Sequence, residues 1–217
     1  PFPRVANDAH VVQEFLELVG ELVRFHRTDA VKDWLVAGEI AIGGEKRVEK
    51  DLEQAHFTLA LEAPGYRSDD IHTAQIYATA LGGGMSSRLF QEIREKRGLC
   101  YTIFAQSGAY SDTGMTTIYA GTSAEEVGEL AVLTMDEIKR AASDLSAAEL
   151  ERARAQMKAG LLMGLESPSS RAERMARMIQ IWGEVPPIEK TVARIEAVTL
   201  DQLRAFSQEI CRDLQQL

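Results

Sequence analysis

Apolar positions along the chain change their spacing several times, and each change predicts an element. From Val48 to Glu62 the side chains alternate, with Ala55, Phe57, Leu59 and Leu61 on one side and His56, Thr58 and Ala60 on the other. Successive strand side chains point to opposite faces, so this predicts a strand with one buried face, ended by Ala63-Pro64-Gly65. Between about Asp69 and Leu81 the spacing becomes helical, through Ile71, Ala74, Ile76, Ala78 and Leu81. After Gly82, Gly83 and Gly84 a second helix is predicted from Ser86 to about Arg97. Met85, Leu89 and Ile93 form its stripe, and Glu92 and Lys96 pair outside. Gly98 supplies the stop, because a left-handed backbone is cheap only for glycine. Cys100 to Tyr110 and Met115 to Gly121 read as two strands of a hairpin turning at Ser111-Asp112-Thr113-Gly114.

The C-terminal half is helical. Ser123 with Glu126, Ser146 with Glu149, Ser170 with Glu173 and Thr199 with Gln202 each fit the capping box, in which a hydroxyl and a side chain three residues on satisfy helix-end amides. The helix from Ser146 carries Leu150, Ala153, Met157, Leu161 and Gly164 on one face. Ser167-Pro168-Ser169 interrupts it before a helix through Trp182, and Pro186-Pro187 precede a short helix to about Val198. A last helix runs from Leu200 to about Leu214. Before Gly44 the pattern is less legible, with a helix predicted around Phe15, Leu16, Val19, Leu22 and Val23. The expected fold class is α+β: a small, mostly antiparallel sheet covered by helices, with a helical C-terminal half. Residues 43–217 form the legible domain, and residues 1–42 are read as an N-terminal part of it.

Composition narrows the function classes. A hydrophobic fraction of 45% with 26% charged residues is that of a globular chain. The net charge of −9 argues against nucleic acid and against anionic membranes, because both need a concentrated positive surface. Cys100 and Cys211 are too few for a disulfide framework or a structural zinc site, and fit a cytoplasmic protein. No apolar run approaches the length of a membrane span, the opening Pro-Phe-Pro-Arg does not read as a signal peptide, and a start without methionine reads as part of something longer.

Candidate chemistry is sparse. The three glycines lie between two helices with no following lysine, unlike a P-loop or a dinucleotide fingerprint, so they read as a flexible chain reversal whose next helix offers free amides. His10, His26, His56 and His72 lack the spacing that puts two imidazoles on one helix face; His56 and His72 read as local hydrogen-bonding residues. Cys100 has no base near it in sequence, and Met157, Met163, Met175 and Met178 read as adaptable core packing. Arg94 and Tyr101 remain. A helix end and a strand start joined by so short a reversal must be close, so a charged guanidinium and a protonated phenol could donate to one oxygen. Such an oxyanion donor is worth about 3 kcal/mol in a transition state. Spacing alone leaves open the plainer reading of a helix-end arginine and a strand tyrosine.

The stretch LGGGMSSRLFQEIREKRGLCYTIFA, with KDLEQAHFTLALEAPG, LESPSSRAERMAR and VTLDQL in the same order, resembles the second domain of pitrilysin or insulinase-type zinc metallopeptidases. The likeness is greatest to mitochondrial processing peptidase and its bacterial relatives. The resemblance implies one half of a clamshell that closes on an extended peptide. In that family the first half brings H-x-x-E-H and a distant glutamate to zinc, and the second brings an arginine and a tyrosine, here Arg94 and Tyr101. It implies that these two, with Gly83 and Gly84, bind the peptide, and that Tyr101 donates to the oxyanion formed when zinc-bound water attacks. H-x-x-E-H is absent from the chain. Zinc is therefore expected in the complete enzyme and not on this chain, with the zinc half covalently attached or a partner subunit in a homo- or heterodimer. The alternative is a non-catalytic scaffold or substrate-binding subunit of the same shape.

Overall fold

The computed structural model describes residues 54–111 and 113–215. The helix predicted around Phe15 to Val23 and the start of the strand predicted from Val48 lie outside them.

Three strands, β1 (Ala55–Ala63), β2 (Cys100–Ala109) and β3 (Gly114–Thr122), form an antiparallel sheet in the order β1-β3-β2. The central strand aligns Phe57, Ala120 and Ile103 in one row across the sheet and Leu59, Ile118 and Ala105 in the next. These are the buried alternate positions. The other face carries His56, Thr58, Phe104 and Tyr119, with the Phe104 and Tyr119 rings 5.2 Å apart.

The first helix, α1 (Ile71–Gly82), lies against β2 and is buried at nine of its twelve positions. A helix apolar on every side belongs in an interior. Its last residue has to be glycine for packing reasons: a Cβ at Gly82 would sit 2.7 Å from Ala105 Cβ and 2.9 Å from the Phe104 carbonyl carbon.

Residues 86–97 depart from the predicted α-helix, because Phe90–Glu95 is a π-helix. The Lys96 N–H reaches back to the Gln91 carbonyl at 3.0 Å and the Leu99 N–H to the Ile93 carbonyl at 3.2 Å. Leu89 and Ile93 are fully buried, while Met85, expected on their stripe, is 74% exposed. Gly98 ends the segment as predicted, at φ 68°, with its N–H on the Arg94 carbonyl at 3.0 Å.

Five helices follow: α2 (Val127–Asp144), α3 (Ala147–Gly164), α4 (Pro168–Trp182), α5 (Ile188–Ala197) and α6 (Leu200–Gln215). Leu130 and Ile138 of α2, Leu150 and Ala153 of α3, Ile195 of α5, and Leu203 and Ile210 of α6 join the core. Burying each large side chain contributes about 1.5–3 kcal/mol.

The Ser146–Glu149 box is complete, and Thr199 and Gln202 exchange the same pair of bonds. Ser123 and Glu126 also bond each other, but α2 begins only at Val127. The Ser170–Glu173 box does not form. Ser167 is the N-cap instead, accepting the Ser170 N–H at 3.3 Å, because Pro168 is pre-set for the first helical position and puts Ser170 inside the helix. The methionines are corrected too: Met163 is 63% and Met175 48% exposed, so neither is core.

Candidate active site

Gly82 to Gly84 all keep negative φ values, and the turn they open carries its own hydrogen bonds. Gly83 donates its N–H to the Thr79 carbonyl at 2.9 Å and accepts the Gln156 side-chain amide at its own carbonyl. The Gly84 carbonyl takes the Ser87 N–H at 2.9 Å and the Ser87 hydroxyl at 2.5 Å.

Arg88 then clamps this segment to the junction of α2 and α3, a role that nothing in the sequence pattern pointed to. Its guanidinium donates twice to Glu149, at 2.5 and 2.9 Å, and also to the Asp144 carboxylate and, at 3.2 Å, the Asp144 carbonyl. The Arg88 side chain is only 10% exposed, so this fork-to-fork pairing is shielded from water. Burial alone would raise the Glu149 carboxyl, but the bonds from Arg88 and Ser146 outweigh it and hold the pKa at about 2. The capping glutamate therefore does two jobs, of which the sequence displayed one.

Arg94 stands in the π-helix with its guanidinium carbon 4.6 Å from the Phe90 ring centroid, a cation–π contact. It is exposed and has no ion-pair partner among the described residues. Burial raises the Cys100 thiol, and the positive charge of Arg94 pulls it partly back, so that charge acts on the residue next to Tyr101.

Tyr101 owes its position to an irregularity. Cys100 pairs with Thr122 and Thr102 with Gly121, which leaves Tyr101 as the extra residue of a β-bulge. Plain alternation would have put its side chain on the face of Ile103 and Ala105, both buried. With the bulge it is 74% exposed, and Thr102 beside it is exposed as well. Bulges commonly re-aim a side chain next to active sites. Neither Arg94 nor Tyr101 is consumed by the domain's own interior.

The remaining candidates serve locally. His56 hydrogen-bonds the Tyr119 hydroxyl across the strands at 2.7 Å, and His72 bonds Gln75 at 3.0 Å one turn away. Burial, with the charge of Arg194, lowers the His72 pKa, though the bond to Gln75 opposes this. His10 and His26 lie outside the described residues. Among the described residues no three His, Cys, Asp or Glu side chains come together as a metal ion requires, so these residues do not fit zinc. No helix among them is long and apolar enough to cross a membrane.

Comparison with known proteins bears on the family and the fold. An uncharacterized zinc protease of Mycobacterium tuberculosis is 35% identical over 164 residues, covering 75% of this chain and 37% of that protein. One of Streptomyces coelicolor is 35% identical over 198 residues, covering 86% and 43%. The chain thus spans about two fifths of the length of these relatives. Among solved structures, a peptidase M16 inactive domain from Pseudomonas fluorescens shares the fold, with a TM-score of 0.65 at 22% identity over 73% of this chain and 38% of that one. A protease from Helicobacter pylori gives 0.64 at 20% identity, over 77% and 40%. The family description "Peptidase M16 inactive domain" matches residues 12–157, two thirds of the sequence, and the chain belongs to that family.

Proposed function

We propose that this domain is the non-metal wall of a zinc endopeptidase, in which Tyr101 and Arg94 act on a peptide held against it. The carrying observation is the bulge that leaves the Tyr101 phenol 74% exposed, next in sequence to a residue on which the charge of Arg94 acts. When a peptide carbonyl becomes tetrahedral its oxygen gains charge, and a fixed phenol O–H aimed at that oxygen gains more from the transition state than from the ground state. Arg94, without a carboxylate partner among the described residues, holds the neighbouring peptide backbone through its fork of N–H donors. Gly83 and Gly84, a few residues earlier in the same segment, complete the proposed peptide-binding surface. Phe90 and the π-helix fix the guanidinium, and Arg88 fixes the segment that carries both.

The metal chemistry belongs to the other half, supplied by a preceding domain or a partner subunit, as the length of the named zinc proteases supports. Co-expression with that half tests the reading. Tyr101→Phe is expected to lower turnover about 100-fold or more, with zinc content unchanged, as for a lost transition-state donor. Turnover equal to wild type would reject the role.

A further inference from the structure

A cavity of about 750 Å³ opens between α1, the middle of β2 and helices α3, α4 and α5. That is the size of a ligand site, and Tyr101 and Arg94 do not line it. Its floor is apolar, with Ile71, Ala78, Leu161, Met178 and Trp182. Its walls carry Arg174 and Arg177 from α4 and Lys190 and Arg194 from α5, against two carboxylates, Glu173 and Glu184. In a chain of net charge −9 this is a local reversal of sign.

The cations are little used by the domain. Among the described residues Arg174 reaches the Thr191 hydroxyl at 3.5 Å, and Arg194 meets Asp69 at 3.5 Å where Asp69 is fully exposed to water. Arg177 and Lys190 have no ion-pair partner among the described residues. Helix α4 itself has no buried residue, although Met175, Ile179 and Trp182 are large and apolar. Its attachment includes a bond from Arg67 to the Ile181 carbonyl at 3.2 Å.

We infer that this groove binds a peptide segment bearing acidic side chains between apolar ones, at a distance from the scissile bond. The charges come in pairs one turn apart on two helices, so one head group could meet few of them, whereas carboxylates spaced along a chain could meet several. Apolar side chains between them cover the floor. The cavity borders the proposed site through Thr79, whose carbonyl holds Gly83, and Met157, next to the Gln156 that also holds Gly83. The choice of a peptide rests on the peptidase reading, and the groove itself does not.

The test uses this 217-residue chain and a fluorescein-labelled octapeptide of alternating leucine and glutamate, read by anisotropy. Saturable binding is expected, weakened at least tenfold in the alternating leucine and lysine peptide. The same loss is expected in the Arg177→Glu/Lys190→Glu double variant, whose circular dichroism should match wild type since both side chains are exposed. Equal binding of the two peptides, an unaffected double variant, or no binding would overturn the groove. Displacement by laurate at concentrations below those of the unlabelled peptide would overturn the assignment to peptide. This assay reads binding without the zinc half and without turnover, whereas the tyrosine is judged by turnover with that half present, so a failed groove and a failed catalytic tyrosine give separate results.

Discussion

Helices α1 and α4 make opposite use of similar sequence resources. Both carry apolar residues at helical spacing, yet α1 buries nine of twelve positions and α4 none of fifteen. The difference follows from what each meets: α1 is wedged between β2 and helices α3 and α6, while α4 spans the open cavity. An amphipathic pattern states that a face seeks cover, and leaves open whether the cover is in the same chain.

Matched substitutions in the two helices would break this contrast most directly. Ile76→Ala in α1 removes a side chain with no exposure and is expected to cost about 2–5 kcal/mol in urea unfolding, through lost burial plus a cavity. If it cost no more than the α4 substitution below, the two regions would not differ as described.

The ionic clamp is expected to come next. Arg88→Met leaves Glu149 shielded without its partner and should cost about 2–3 kcal/mol, less than a fully buried pair because Asp144 is half exposed. A pH series sharpens this. The Glu149 pKa is depressed in the folded state to about 2, so its contribution is present above the ordinary carboxylate value and is lost as pH falls through about 2. Wild type should therefore lose melting temperature over that acid range faster than Glu149→Gln; parallel curves would mean that the clamp adds nothing.

Smaller effects test the backbone and the loose helix. Gly98→Ala meets no atom within 4 Å, so its expected cost of about 1–2 kcal/mol is that of a left-handed conformation alone. Ile179→Ala in α4, where the residue is 54% exposed, should stay within about 0.5 kcal/mol by the same unfolding assay.

Much of the frame was legible in the order of residues. Alternation placed Phe57, Leu59 and Leu61 on one face, Gly98 marked a stop, and Ser146–Glu149 and Thr199–Gln202 marked helix starts, because each rests on interactions among residues a few positions apart. The same local logic failed at Ser170, where a proline four residues after the previous helix chose an earlier cap. It failed again over residues 86–97, where Phe90–Glu95 took the wider π-turn that spacing does not distinguish from an α-helix.

The site divides along the same line. Arg94 and Tyr101 could be named from the sequence, since residue identity and family likeness are written there. That Tyr101 faces solvent was decided only when β2 paired with β3 and one residue had no opposite number. Likewise Glu149 became the anchor of Arg88, and the cations of α4 and α5 came to share one groove, through contacts between segments tens of residues apart. Spacing along a chain fixes which face a side chain takes within its own element; which elements meet, and which groups are left without a partner, is set by packing.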